Sequence, residues 1–235
     1  MSFTGSVLLF LGTVVAISGT GVMMPGPVTA AAIAKGYQRK WAGIHIALGH
    51  AVVEFPTIAL IAAGFSTVLS NPYVSIAIGV LGGAMLVFMG LSMIVAKGGV
   101  LGKLRSLNGS PDKGSVMAAG GPKPPAAMDP FPYHPFVAGI LTTASNPYYF
   151  LWWATLGAAL TLNALEFGLV VLVAFAVVHW SIDLVWDFIL SYTVHESRGF
   201  WNDKTFVAVF AVCGAIMLFF GLVFAVSAVA AWLAL

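Results

Sequence analysis

Two histidine–carboxylate pairs lie within long apolar stretches of this chain. His50 precedes Glu54 by four residues, and His179 precedes Asp183 by the same spacing. In a helix, this spacing places both side chains of a pair on one face, one turn apart. Asp187 extends the second series by a further turn. Because ionisable groups in apolar segments are costly and normally face a partner or a water-filled cavity, we expect these five residues to line a functional site.

Three kinds of chemistry suit this set of imidazoles and carboxylates. They relay protons, since histidine titrates near neutral pH; they coordinate a divalent cation; or they pair with an ammonium group of a substrate. In a fourth, structural alternative, each histidine hydrogen-bonds its own acid and holds two helices together. The sequence contains no His-Glu-x-x-His and no Gly-x-Ser-x-Gly motif. We therefore expect neither an enzyme nor a bound cofactor.

Two proline-containing breaks interrupt the apolar stretches that precede the two pairs. The first contains Pro25, Gly26 and Pro27, and the second contains Asn146 and Pro147. Proline removes a backbone donor and clashes with the carbonyl group four residues earlier, so we expect a kink or an interruption at each site. A helix that restarts after a break presents its partially positive N-terminus, which suits a carboxylate. The alternative is a packing kink without a ligand.

The segments that carry these residues are long enough to cross a membrane. The sequence is 60% apolar and 8% charged, with a mean hydropathy of +0.99, which excludes an ordinary soluble domain. A membrane-spanning helix needs about 20 apolar residues. Six stretches meet this length, at 5–34, 42–69, 73–96, 136–163, 166–194 and 205–234. We predict an all-α integral membrane protein with six transmembrane helices.

The 10 lysine and arginine residues fall in alternate connections between these stretches. They occupy the regions 35–41, 97–135 and 195–204, whereas the connections after the second and fourth stretches contain none. Because cytoplasmic loops are enriched in basic residues, we predict that these three regions are cytoplasmic and that both termini are outside. The basic residues are too dispersed to indicate a nucleic-acid partner.

The two halves of the chain resemble each other. Gly83 and Gly90 recur 131 residues later as Gly214 and Gly221, and the two histidine–carboxylate pairs are 129 residues apart. Three spans per half would make the second half enter the membrane from the opposite side. We predict a 3+3 inverted-topology repeat with broken helices 1 and 4, in which residues 1–96 and 136–235 are joined by a linker at 97–135 rich in proline, glycine and lysine. Chance similarity between apolar helices is the alternative.

The order of these motifs resembles that of the LysE/RhtB amino-acid exporter family. The first half carries Pro25-Gly26-Pro27, glycines at 36, 43 and 49, and the segment 82–91 (GGAMLVFMGL). The second half carries the segment 136–141 (FVAGIL), followed by Asn146-Pro147. The resemblance covers most of the chain outside 97–135. The symmetric histidine and carboxylate residues are a departure from ordinary members of the family.

This resemblance implies a six-helix permease of the inner or plasma membrane that exports amino acids or related metabolites, driven by the proton gradient. It also implies that five residues match the paired helix breaks of the family: Pro25, Gly26, Pro27, Asn146 and Pro147. In alternating access, we expect the half-helix ends to bind the substrate carboxylate, while Glu54 and Asp183 bind its amine or exchange it for protons or another cation. A divalent-cation transporter that uses the histidines and carboxylates of helices 2 and 5 is the alternative. A Gly79-x-x-x-Gly83 motif allows either a homodimer contact or an internal one.

Overall fold

The protein is built from α-helices throughout the part that the computed structural model describes, residues 6–65, 68, 71–107, 133–200 and 203–234. The helices are α1 (Val7–Val22), α2 (Pro27–Gln38), α3 (Ala42–Leu60), α4 (Pro72–Leu107), α5 (Pro135–Ala144), α6 (Pro147–Trp152), α7 (Ala158–Glu166), α8 (Leu169–Glu196) and α9 (Asp203–Leu233). Short π-helical turns follow α3, at Ile61–Phe65, and join α6 to α7, at Trp153–Gly157. The all-α prediction is confirmed for these residues.

Four helical segments of the described chain are long and apolar enough to cross a membrane. They are Ala42–Phe65, Pro72–Leu91, Leu169–Glu196 and Val207–Leu233, and a fifth span results if α1 and α2 are counted together. The predicted fourth span, 136–163, consists of α5 and, after the break at Ser145 and Asn146, of a continuous helical segment at 147–166 in which the π-helical turn joins α6 to α7; neither part is among these candidate spans. The chain is therefore a multi-pass helical membrane protein, and six complete spans remain a prediction.

Both predicted breaks coincide with helix ends. Helices α1 and α2 meet at an angle of 75°, and Pro27 is the first residue of α2. In the second half, α5 ends at Ala144 and α6 begins at Pro147. Proline is favoured at the first helical position because its missing N–H would have no intrahelical partner there. The covalent chemistry of proline therefore determines where both helices restart.

The segment 97–135, predicted as a linker, is helical at its start. Helix α4 continues to Leu107, eleven residues beyond the predicted end of the third span at 96. Residues 108–132, which make up most of the predicted linker, lie outside the described part of the chain, as do residues 201–202 of the predicted loop 195–204. The glycines and the two lysines of residues 97–103 do not stop the helix.

Helices α4 and α9 pack along each other through glycine residues. A Cβ atom on Gly90 would lie 2.6 Å from the Gly214 carbonyl oxygen and 2.8 Å from the Leu218 nitrogen. A Cβ atom on Gly221 would lie 2.8 Å from both the Gly83 oxygen and the Val87 nitrogen. If each residue of the first set is replaced by its equivalent 131 positions away in the other helix, the second set of contacts results. This is the spacing of the sequence repeat.

The glycine motif considered for a homodimer also faces α9 of the same chain. A Cβ atom on Gly79 would lie 2.8 Å from the Ala228 side chain, and one on Gly83 would lie 2.7 Å from the Gly221 oxygen. Of the two alternatives that the sequence left open, the internal contact is the one observed.

We predict that Gly221→Ala destabilises the protein, because the added methyl group meets backbone atoms of α4 that cannot rotate away. Overpacking of this kind costs about 1–3 kcal/mol, so the midpoint of thermal unfolding in detergent should fall. Gly12→Ala is the matched control, since a Cβ atom on Gly12 has nothing within 4 Å. An equal or smaller effect of Gly221→Ala than of Gly12→Ala would contradict the tight α4–α9 contact.

Helices α3 and α8 cross at the centre of the molecule and carry the histidine–carboxylate pairs. Helix α3 contacts α5 and α8, and α8 also packs against both halves of the broken first span, α1 and α2. Beside this crossing lies an apolar cluster that includes Phe10, Ile58, Trp153 and Phe175. The fold therefore places both helix breaks against the faces that carry the pairs.

Candidate functional site

Four of the predicted site residues form a ring in which imidazole and carboxylate groups alternate. Glu54 Oε2 lies 3.8 Å from His50 Nε2, and Glu54 Oε1 lies 2.8 Å from His179 Nε2. Asp183 Oδ1 lies 3.8 Å from His50 Nε2, and Asp183 Oδ2 lies 3.9 Å from His179 Nε2. Each carboxylate thus faces both histidines, one oxygen to each. We call these four residues the His–carboxylate ring.

The Nδ1 atom of each histidine in the ring shares a hydrogen bond with a hydroxyl group of another helix. His50 Nδ1 shares a hydrogen bond of 2.8 Å with Thr143 Oγ1 on α5, and His179 Nδ1 shares one of 2.6 Å with Ser18 Oγ on α1. Both hydroxyl residues are fully buried. These bonds orient the rings so that each Nε2 faces the carboxylates. The two broken spans are therefore attached directly to the ring.

The carboxylates of the ring are buried and incompletely satisfied. Glu54 is 0% exposed, and neither of its oxygens makes a hydrogen bond within the described residues; Asp183 Oδ2 is in the same condition. Although Glu54 Oε1 is only 2.8 Å from His179 Nε2, it lies off the direction of a hydrogen bond. Among the residues that the structure describes, the ion-pair partners of Glu54 and Asp183 are all histidines. A burial of two carboxylates with so few partners is costly, and a bound cation would relieve that cost.

One cavity of about 70 Å³ connects the ring to both helix breaks. Its wall includes His50, His179 and Asp183 of the ring, together with Gly26 of the first break and Asn146 of the second. Glu54 is not part of the wall and lies behind it. Since one water molecule needs about 10–15 Å³ by this kind of measure, the cavity has room for several waters or a comparably small solute.

The other predicted site residues lie around this cavity. Asp187 lines it and is 3% exposed, one turn of α8 beyond the ring. Pro25 lines a smaller neighbouring cavity of about 20 Å³, together with Gly26 and Asn146. Pro27 and Pro147 are the first residues of α2 and α6, so they define the breaks without being part of the cavity wall.

The two half-helix ends differ in their chemistry. Helix α2 has Gly26 as its N-cap, and no side chain caps its first amides; Val28 and Thr29 of its first turn line the cavity. The N-terminus of α6 is capped by its own Asn146, whose Oδ1 accepts a hydrogen bond of 3.1 Å from the Tyr148 amide. An uncapped N-terminus has orphan N–H donors and a favourable dipole for an anion. The α2 end is therefore the better carboxylate site.

Trp152 contributes a donor that the sequence did not single out. Its side chain is 8% exposed and lines the cavity, and its indole Nε1 has no hydrogen-bond partner in the described residues. It stacks on the His179 ring with centroids 4.8 Å apart and a tilt of 21°. Gly21 leaves room for it, since a Cβ atom there would lie 2.7 Å from Nε1. Trp180, by contrast, donates its Nε1–H to the Ala47 carbonyl oxygen.

Ser18, Thr143 and Trp152 are thus the residues of the candidate site that sequence reasoning missed. Serine, threonine and tryptophan are common in membrane helices, and these three are neither charged nor part of the histidine–carboxylate spacing. The signal available in the sequence was position: Ser18 lies seven residues before Pro25, Thr143 lies three residues before Asn146, and Trp152 lies five residues after Pro147.

Comparisons with known proteins give one match. A family model described as "LysE type translocator" matches residues 20–228, a range that includes both helix breaks, the His–carboxylate ring, α4 and most of α9. No curated protein and no solved structure matches the chain.

Proposed function

Because the chain belongs to the LysE type translocator family, whose members export amino acids or related metabolites, we propose that it is a secondary-active exporter of such compounds that works by alternating access. In this function the substrate crosses the cell membrane in exchange for protons or another cation. The family consists of transporters rather than enzymes, in agreement with the expectation from the sequence motifs.

The shared cavity is the observation that best supports this function. It joins an uncapped helix N-terminus, two buried carboxylates at Asp183 and Asp187, and two histidines in one enclosure. An amino acid carries both a carboxylate and an ammonium group, and the cavity offers a counterpart to each. Intramembrane ionisable residues at a helix interruption are also the usual setting of transport sites.

The substrate carboxylate binds at the start of α2 in this proposal. The orphan amides of Val28 and Thr29 and the indole N–H of Trp152 provide donors on the cavity wall. Hydrogen bonds to a charged acceptor are stronger than neutral ones, and those from a helix N-terminus act together with the dipole. The sequence predicted that Asn146 would also bind this carboxylate. Asn146 lines the cavity, but its Oδ1 already accepts the hydrogen bond from the Tyr148 amide that caps α6.

The His–carboxylate ring binds the ammonium group or exchanges it for the coupling cation. Asp183 faces the cavity, whereas Glu54 is reached only through the ring. A cation that enters the ring therefore sits between α3 and α8, and the hydroxyl contacts of Ser18 and Thr143 communicate its presence to both broken spans. Such a link between ion occupancy and helix position is what coupled transport requires.

The contacts between α3 and α8 and those between α4 and α9 also support an inverted repeat. A shift of 129 positions relates the two histidines of the ring to each other and the two carboxylates to each other, and a shift of 131 relates the α4–α9 glycine contacts. In this proposal the first and second halves rock against each other around the cavity, with both termini outside and the three basic regions in the cytoplasm.

A thermal-shift screen tests the substrate class. Detergent-purified protein is heated with each amino acid, since a ligand at about 100 times its dissociation constant stabilises the fold by roughly 2.7 kcal/mol. We expect stabilisation by at least one amino acid and none by the corresponding amine that lacks the carboxylate. If no amino acid of the full set stabilises the protein, and no corresponding amine does so, the proposed substrate class is contradicted.

We predict that Trp152→Phe weakens substrate binding while the aromatic stack on His179 is kept. The change removes only the indole N–H, and a hydrogen bond to a charged group is worth about 1.5–3 kcal/mol, so affinity should fall roughly tenfold or more. The measurement is calorimetric titration with the amino acid found in the screen.

Trp186→Phe is the matched control for this prediction. The Trp186 Nε1 also lacks a partner in the described residues, but Trp186 is not among the residues of the cavity wall. Equal losses of affinity in the two variants would show that the indole of Trp152 has no specific role.

A further inference from the structure

We infer that His50, Glu54 and Asp183 form a binding site for a divalent transition-metal ion. The proposed function requires only that the ring exchange a cation with the substrate, and protons alone would satisfy it. The inference goes beyond that function, because it assigns a second ligand, of different chemistry, to three named side chains.

The ligand atoms are already close to the positions that a metal ion needs. One ligand atom from each of the three residues lies within 4.8 Å of the other two, and His50 Nε2 is 3.8 Å from both Glu54 Oε2 and Asp183 Oδ1. Bonds of about 2.0–2.2 Å in a tetrahedral site place neighbouring ligand atoms roughly 3.4 Å apart. Movements of a few tenths of an ångström in the side chains bring His50 to that separation from both carboxylates.

The surroundings of His50 are those of a metal-binding histidine. Ligating histidines usually hydrogen-bond through their second nitrogen, which fixes the ring and its tautomer. Here the buried Thr143 hydroxyl group holds Nδ1, and Nε2 faces the two carboxylates. When Nδ1 donates its proton to the hydroxyl oxygen, Nε2 presents a lone pair toward the same point as the carboxylate oxygens.

The carboxylates supply the second, independent indication of a ligand. Both oxygens of Glu54, which is completely buried, and Oδ2 of Asp183 lack hydrogen-bond partners in the described residues. An ion of charge +2 would balance two ionised carboxylates. The donor set of one imidazole and two carboxylates suits zinc, manganese, cobalt or nickel better than magnesium or calcium, which prefer oxygen ligands alone.

His179 acts as a positioning residue in this site. It faces the opposite oxygens of Glu54 and Asp183, at 2.8 and 3.9 Å, and is itself fixed by the Ser18 hydroxyl group. Three protein ligands leave a coordination position open, as in zinc sites that exchange a ligand. Because His50 and Asp183 line the cavity, an ion has a path to the site, and a bound ion is exchangeable rather than enclosed.

Cobalt binding tests the inference on the purified full-length chain in detergent. Co²⁺ is titrated in while its visible absorption, which reports low-coordinate nitrogen and oxygen ligation, is recorded, and Zn²⁺ is then added as a competitor. We expect one Co²⁺ per chain, displaced by Zn²⁺. Loss of outer-shell partners alone lowers metal affinity about 10–100-fold, so His50→Ala and Asp183→Asn should each weaken binding more than about 100-fold.

His45→Ala is the matched control, because His45 is on the same helix, lines a separate cavity and bonds the Trp41 carbonyl oxygen. It should bind Co²⁺ as the wild type does. If His50→Ala yields no folded protein, Glu54→Gln, which changes one carboxylate to an amide of nearly the same shape, takes its place. Absence of binding to the wild type, or unchanged binding in the ring variants, overturns the inference.

The outcomes separate this inference from the proposed function. Stabilisation by an amino acid without any Co²⁺ or Zn²⁺ binding would refute the metal site and leave the exporter intact. Metal binding that depends on His50 and Asp183, without stabilisation by any amino acid, would support the site while the proposed substrate class failed.

Discussion

Glu54→Gln is expected to abolish uphill transport of the substrate while leaving the protein folded. In proteoliposomes with an imposed proton gradient, the wild type should accumulate substrate above its equilibrium level, and the variant should not exceed a ratio of about one, because a site that no longer couples two ligands cannot transfer free energy between them. The amide keeps the size of the Glu54 side chain but carries neither a charge nor an exchangeable carboxylic proton. Asp183→Asn should have the same effect.

Substrate exchange distinguishes lost coupling from lost structure in these variants. Counterflow between equal substrate concentrations needs binding and alternation but no ion gradient, and we expect Glu54→Gln to retain more of it than Asp183→Asn, since Asp183 lines the cavity and Glu54 does not. If both variants transport uphill like the wild type, the ring has no coupling role. The structural alternative, in which the histidines only hold α3 to α8, would then account for it.

Thr29→Asp is expected to remove carboxylate binding by placing a negative charge in the first turn of α2. Thr29 lines the cavity, and its helix has no side-chain cap. A new carboxylate there occupies the helix N-terminus, and at ~5 Å from the substrate carboxylate it repels it by about 3 kcal/mol for an effective dielectric constant of about 20. This corresponds to roughly 100-fold weaker binding, measured by calorimetry.

Thr29→Asn is the control for this prediction because it has the shape of the aspartate without its charge. Substrate affinity should remain within about tenfold of the wild type in Thr29→Asn, since the asparagine carries no charge with which to repel the ligand. Wild-type affinity in Thr29→Asp would place the carboxylate elsewhere in the molecule, and equal losses in both variants would mean that shape rather than charge determines binding.

The helices of this fold follow from local properties that are legible in the sequence. Apolar length predicted the spans that contain α3, α4, α8 and α9, and the fixed backbone of Pro27 and Pro147 predicted where α2 and α6 restart. The break in the fourth stretch was predicted in the same way from Pro147, whereas the π-helical turn after Trp152 has no proline or glycine at its start, so no local pattern predicts it. Composition does not predict the extension of α4 to Leu107, because the glycine and lysine residues after 96 are typical of a linker.

The site was predictable in composition and only partly in geometry. The four-residue spacings placed His50 with Glu54 and His179 with Asp183, but their meeting in one ring depends on how α3 crosses α8, which no local pattern specifies. The hydroxyl contacts of Ser18 and Thr143 are likewise tertiary. The difference between the two breaks comes from a single side chain: Asn146 caps its own helix, whereas glycine at 26 cannot, so two similar sequence signals have unequal chemistry.

Uphill transport by the unmodified protein shows whether the fluxes of substrate and coupling ion are linked. Purified protein is reconstituted in liposomes and supplied with a radiolabelled amino acid that stabilises it, with and without an imposed gradient of protons. We predict accumulation against the substrate gradient only when the ion gradient is present, and dissipation of the ion gradient by substrate alone, as reciprocal coupling requires. Flux that is identical with and without the ion gradient, or no flux of any stabilising amino acid, would contradict ion-coupled export by this protein.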